Sequence, residues 1–464
     1  MAINKDIPTG PGRDDDICGY RAPEAAHGFS RGQFIIMALG NIIGSGIFLA
    51  SGTILDIAGR WTPLAYLLGG LIMSCQVSFT LEMTIATPAR GSFKVHAQQI
   101  FGRWWGYTIG WMFWTSGVLG MASEVTACAL FMRLWFPAWP LWSFSLLFAA
   151  LITLINLNDV KGLSKIEFAL ASVKIAALVL FILTGLAILL GLPLGHPGGA
   201  APPAGQPQPG LEGVPASMIL VLFAYTGTGI MGLAAAETRQ PAKTVPAAAA
   251  FVTFGITGLY TAAAALLVAL LPAGAAGANT SPFVAILALL DVPHAADILN
   301  FILVTAALSS LNSQVYSASR MLLSLAENRQ APRLAAYRSR QGVPVAAVIL
   351  SGLVLLATAL LAYTLPEKLF LYTVSASGVL ALVNWLSITV THYFYRRHLL
   401  ANCPGKLRYK SPGYPYASWL IFALILLSLV SAPLYPDQLP GLYAAAVILF
   451  LIAASYRLLP VARR

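Results

Sequence analysis

The sequence predicts an all-α polytopic membrane protein of twelve transmembrane helices, and three observations predict it. First, 58% of the 464 residues are hydrophobic and only 10% are charged, a balance no water-soluble domain needs. Second, apolar runs of the roughly 20 residues needed to cross a bilayer can be placed twelve times. Third, the first and sixth runs are interrupted in mid-span by glycine. The interruptions are Gly40-Asn41-Ile42-Ile43-Gly44-Ser45-Gly46-Ile47-Phe48 and Tyr225-Thr226-Gly227-Thr228-Gly229. Glycine weakens a helix and frees backbone polar groups, which persist in hydrocarbon only where they face a cavity or coordinate something.

Taken in order, residues 1–32 carry Asp14-Asp15-Asp16 and several prolines but no apolar core, so they read as a cytoplasmic tail without a cleavable signal. Spans are expected at 33–55, 62–86, 106–134, 140–157, 164–191, 215–237, 246–271, 296–326, 343–363, 369–395, 414–434 and 440–459. The short break from Asp56 to Trp61 makes the first two a hairpin. The first span enters from the inside and the sixth from the outside. Spans one to five (33–191) and six to ten (215–395) therefore read as inverted repeats, with Gly44 to Gly46 matching Gly227 to Gly229. A Pro- and Gly-rich extracellular loop (192–214) joins them. A basic cytoplasmic loop (396–413), the last two helices (414–459) and a cytoplasmic tail (460–464) follow.

Charge fixes the orientation. With the N-terminus inside, 23 of the 28 Lys and Arg fall in inner tails and loops, Lys94 among them. Three (Arg60, Arg133, Lys368) fall outside, and Lys174 and Arg320 lie within spans. By the positive-inside rule both termini are cytoplasmic. The same asymmetry explains the net charge of +11 without any nucleic acid. Trp104, Trp105, Trp135, Trp139 and Trp142 sit at span ends, as interface anchors do. Cys18, Cys75, Cys128 and Cys403 lack metal-ligand spacing and read as free thiols.

Matched interruptions in two halves point to a carrier site. Free N–H groups at the start of the outer half-helix suit a carboxylate, which selects Ser45, Gly46 and Ile47, with the Ser45 hydroxyl and the permissive Gly44. Carbonyls of Ile42, Ile43, Phe223, Ala224 and Thr226 suit an ammonium. An α-amino acid carries both groups. The bland alternative, glycines that only permit close helix packing, fits poorly because a G-x-G triplet does not place both glycines on one helical face. Further pocket candidates are Met121, Tyr225, Gly227, Thr228, Ser309 and Ser310, with Ser375 or Ser377 on span ten.

Lys174 lies about nine residues into span five, roughly 13 Å from its inner end, too deep to snorkel. It can gain and lose a proton there, or serve as a fixed structural cation. Glu124 in span three is expected to meet the substrate ammonium or couple protons, or to be a hydrogen-bonded structural carboxyl. Glu82 and Glu237, near the inner ends of spans two and six, read as an inner gate or ion-pair network, or as plain loop stabilisation. Arg320 is expected to snorkel or pair with a carboxylate. Glu124 is the one charge placed to face the pocket, which favours a neutral amino acid.

The stretches GNIIGSGIFLASG (40–52), LAYLLGG (64–70), ARGSF (89–93), GWMFW (110–114), GMASEVTA (120–127), FAYTGTGIMGLAAAETRQPAKTVP (223–246) and YSASRML (316–322) resemble the amino acid–polyamine–organocation permeases, in their bacterial amino acid transporter branch. The resemblance implies the leucine-transporter-type fold, a 5+5 inverted repeat with discontinuous first and sixth helices, plus two further helices. It implies uptake of an amino acid across the bacterial cytoplasmic membrane, driven by protons through alternating access. It also implies that Lys174 occupies the position of a sodium ion in sodium-coupled relatives, as coupling residue or permanent cation surrogate. Thr226 and Gly227 stand where some relatives place a large aromatic gate.

The expected partners are thus a small amino acid, protons and the lipid bilayer, with no cofactor, no metal and no nucleic acid. An exchanger is not separated from a symporter by sequence. A transporter-like sensor is disfavoured by the short tails, and a channel by the two single broken helices. An enzyme is disfavoured because there is no HExxH or GxSxG, and His27, His96, His196, His294, His392 and His398 are dispersed.

Overall fold

The computed structural model describes residues 17, 30–89, 91–157, 163–192, 209–236, 238, 241–271, 280–288, 293–339, 342–365 and 368–458. The regular structure among them is helical throughout.

The first expected span is divided into three helices, α1 (Arg31–Ile42), α2 (Ser45–Phe48) and α3 (Ala50–Ala58). Ser30 and Gln33 form a reciprocal capping box that starts α1. The helix ends because Ile43 and Gly44 adopt extended backbone. Gly59, at φ +50, ends α3 shortly before α4 (Thr62–Ala86) begins.

An unforeseen short helix, α5 (Phe93–Phe101), precedes α6 (Arg103–Met132). Then come α7 (Leu141–Leu157), α8 (Leu163–Leu189), α9 (Gly213–Ala224) and α10 (Gly229–Ala236). The last two enclose the second interruption and are bent by 47°. The remainder are α11 (Pro241–Leu270), the short α12 (Pro282–Ala288), α13 (Ala295–Glu327), α14 (Val345–Leu361), α15 (Leu369–Asn402), α16 (Tyr416–Ser431) and α17 (Leu439–Ser455).

Helix occupies every expected span interval, but length separates them. Among the described residues, eight helices are long and apolar enough to cross a membrane, nine if the bent pair is one span. α7 and α14 are apolar but only 17 residues long, just short of the roughly 20 that a perpendicular crossing needs. The run expected as the first span is split by its own break.

Helices at equivalent places in the two halves lie against each other. α6 packs on α13, α4 on α11, and α7 on α14. Side chains such as Leu180, Phe251, Phe254 and Phe450 remain exposed on the outside, a surface suited to hydrocarbon. One expectation is corrected here. Cys403 is disulfide-bonded, not a free thiol, while Cys75 and Cys128 are free. Pairing depends on Cα proximity in the fold, which sequence spacing does not reveal; the partner lies outside the described residues.

Candidate functional site

The two interruptions hold each other. The Asn41 side-chain amide donates to the Gly227 carbonyl at 2.8 Å. A Cβ on Gly227 would collide with the Asn41 carbonyl and lie 2.7 Å from the Ile42 nitrogen. Gly46 lies equally close to the other helix, since a Cβ there would stand 2.6 Å from the Ala224 Cα. Both glycines are therefore required for backbone contact between the half-helices.

Several of the freed backbone groups are met by side chains. Lys174, fully buried, donates to the carbonyls of Gly40 (2.8 Å) and Ile43 (3.0 Å). The Tyr260 hydroxyl donates to the Ile42 carbonyl at 3.3 Å. The Ser45 N–H donates to both oxygens of the Glu124 carboxylate, at 2.9 and 3.2 Å. Ser310 donates to Glu124 at 3.1 Å, and Gln314 reaches the same oxygen at 3.5 Å. A Cβ on Gly44 would intrude on Glu124 and stand 2.6 Å from the Ser310 hydroxyl. The donor expected to greet a substrate carboxylate thus holds a carboxylate of the protein.

Beside this centre lies a cleft with about 780 Å³ of empty space, part of it open to solvent. Thr226, Gly227 and Thr228 line it, as does Ser377. The other sequence candidates do not. Ile42, Ile43, Gly44, Ser45, Gly46, Ile47, Phe223, Ala224, Ser309 and Ser310 are buried around the breaks. Met121 packs with Val118, Val125 and Leu311. Tyr225 turns away, donating to the Tyr66 carbonyl at 3.0 Å beside the rings of Tyr66 and Tyr260. Ser375 is buried where α17 approaches closely at Gly441.

Sequence reasoning missed the amides Asn41, Gln76, Gln314 and Asn384 and the aromatic rings Phe113 and Trp385 that line the cleft. The available signal was an uncharged amide within an otherwise apolar span, which is expensive unless it faces a cavity or a partner. No Asp, Glu, Lys, Arg or His is among the lining residues.

The cleft is lined by the middle of α6 (Phe113 to Gly120) together with Gln76 to Thr80 of α4 and Ser377 to Ile388 of α15. Beyond the first break, on α2, Phe48 packs edge-on against Phe283 with centroids 5.3 Å apart. Ser281 donates to the Phe48 carbonyl at 2.7 Å.

Near the C-terminal end of α4, Glu82 is held by Arg396 (3.1 Å), His392 (3.3 Å) and both the N–H (2.5 Å) and hydroxyl (2.7 Å) of Ser411. Arg320 lies over the Tyr316 ring at 4.7 Å. Glu237 lies outside the described residues. Lys94, counted from sequence as a loop charge, is instead fully buried on α5 and donates to the Ser324 carbonyl at 3.2 Å. Burial pushes its ammonium down to about 7, against the opposing pull of Glu327. On the same helix, burial pushes His96 down to about 3, which leaves it neutral.

The sequence model of the amino acid permease family matches residues 33–459. The amino-acid permease RocC of Bacillus subtilis (strain 168) is 36% identical, over 92% of this chain and 93% of its own. The gamma-aminobutyric acid permease of the same organism is 34% identical, over 91% of each chain. The gamma-aminobutyric acid permease of Escherichia coli (strain K12) is 32% identical, over 89% of this chain and 90% of its own. Among solved structures, a mutant of the manganese transporter of Eremococcus coleocola superimposes with a TM-score of 0.60 at 14% identity, covering 94% of this chain and 95% of that one. At that identity the likeness is one of fold.

Proposed function

We propose, since this chain belongs to the amino acid permease family, that it carries a neutral amino acid across the bacterial cytoplasmic membrane by alternating access, coupled to proton entry. The permease names of its relatives support an amino acid as cargo. The absence of ionic side chains among the described residues of the cleft lining supports a neutral one, because a charged side chain would be desolvated there without a counter-ion. The packing of α4, α6 and α7 on α11, α13 and α14 supports the 5+5 inverted repeat over 33–191 and 215–395, with 414–459 outside it. The charge asymmetry supports cytoplasmic termini.

The observation that carries the coupling is the Ser45–Glu124 hydrogen bond. Glu124 occupies the half-helix N–H that suits a substrate carboxylate. The two carboxylates compete for it. A proton on Glu124 weakens its hold, so proton and substrate favour each other's binding, and by linkage that preference is mutual. Lys174 ties the same unwound turn to α8 and is positioned to sense the change. Glu82, with its Arg396 and His392 partners, then secures the inner end.

The test is uptake of radiolabelled amino acids into proteoliposomes holding the purified chain, with and without an inward proton gradient. Gradient-stimulated accumulation of a neutral amino acid is expected. Uptake only into vesicles preloaded with amino acid replaces symport by exchange, and no uptake of any amino acid overturns the substrate class.

A further inference from the structure

Two amide oxygens at the cleft have an orientation fixed by their neighbours and no partner. Gln76 Nε2 donates to Thr389 Oγ1 at 2.6 Å. That hydroxyl already gives its proton to the Trp385 carbonyl at 3.0 Å, so it can only accept from Gln76. The amide cannot be turned over, and Gln76 Oε1 is left as an acceptor. Asn41 is fixed in the same way, because its nitrogen faces the Gly227 carbonyl, which can only accept. Gln76, Asn41 and Asn384 are 2%, 4% and 3% exposed, and each leaves its amide oxygen without a hydrogen-bond partner among the described residues. All three line the cleft. A buried acceptor left unmade is costly, and a cavity that gathers three of them is matched to a ligand that brings donors.

Asn41 adjoins the unwound turn, where a substrate's ammonium is expected. Gln76 and Asn384 lie apart from it on α4 and α15. We propose that Gln76 and Asn384 form a side-chain subsite that selects neutral amino acids bearing an O–H or N–H donor, over apolar side chains of the same shape. This rests on the transport reading above and names its substrate class. A cationic side chain also brings donors, but the lining holds no carboxylate to offset its desolvation. An apolar side chain would fill the space and leave the acceptors unpaired. Sites built around buried hydrogen-bonding groups reject such isosteres most strongly.

Competition against gradient-driven uptake in proteoliposomes of the full chain tests this with isosteric pairs, asparagine against leucine and threonine against valine, with lysine as the cationic probe. The expected result is that asparagine and threonine compete at least about tenfold more strongly than their isosteres, with lysine inert. Gln76→Leu and Asn384→Leu should each bring the ratios toward one. Equal competition within pairs, stronger competition by leucine or lysine, or unchanged ratios in folded variants overturns the subsite. Should both variants fail to fold, thermal stabilisation of the wild-type chain by asparagine but not leucine supports it, and equal stabilisation by both overturns it. If uptake proceeds but asparagine and threonine do not compete, the subsite alone is overturned, whereas the absence of uptake of any amino acid is failure of the transport reading on which it rests.

Discussion

The backbone N–H of Ser45 donates to both oxygens of the Glu124 carboxylate, 79 residues away in sequence. A half-helix start suited to an anion therefore holds a carboxylate of the protein itself. Replacing the competitor by an amide removes the titration and keeps the shape. Glu124→Gln should abolish the stimulation of uptake by an inward proton gradient. Accumulation ratios with and without the gradient measure this, and stimulation equal to wild type would remove Glu124 from the coupling path.

Lys174 is the cation that closes the unwound turn. Its removal leaves two buried carbonyls, those of Gly40 and Ile43, without this donor. Lys174→Ala should end pH-driven accumulation. A variant that still concentrates its cargo against a gradient rejects Lys174 as the coupling residue.

Gly227 carries no side chain because the Asn41 carbonyl stands where a Cβ would be. The colliding atoms are backbone on a neighbouring half-helix, so they cannot swing aside. Gly227→Ala should cost about 1–3 kcal/mol from overpacking and eliminate uptake. Thermal unfolding and flux in the same preparation check both halves of the statement.

Glu82 is a fully buried carboxylate whose partners come from α15 and from Ser411 beyond it. Taking away one side of such a pair strands the other. Arg396→Met should therefore lower stability by about 3–5 kcal/mol, and the double variant Glu82→Gln with Arg396→Met should recover much of the loss. A double variant no better than the single would show that the pair is not the unit of stability.

Lys94 gives a pH signature. Its ammonium is held at about 7, below its ordinary 10.5, because it is buried. Between those two values the unfolded chain binds the proton that the folded chain refuses. Stability from this group therefore rises with pH from about 7 to 10.5 and is flat below. Lys94→Met should remove that slope from the melting temperature measured across this window, and an unchanged slope would assign it to other groups.

How much of this was legible in the sequence follows from how local each cause is. The break at Gly44 to Gly46 is written in consecutive residues of one apolar run, and the helix does stop there. The depth of Lys174 is likewise a distance along one helix. The cleft is different. Gln76 meets Thr389 across 313 residues, so its role exists only once α4 and α15 pack. Lys94 looked like a surface charge because the short helix that buries it has too few turns to register as a periodic element. Met121 and Tyr225 were chosen for their depth, yet the direction a side chain takes around a helix is set by its neighbours, and these two face the interior of the bundle.

The ammonium of Lys174 touches the carbonyls of Gly40 and Ile43 at once, which makes it a gauge of chain length. Substitution between those residues leaves the gauge satisfied, because it reads only backbone oxygens. Insertion or deletion of a single residue does not, since the second oxygen then moves out of reach. The turn that looks least ordered in the first span should accordingly accept no change in the number of residues.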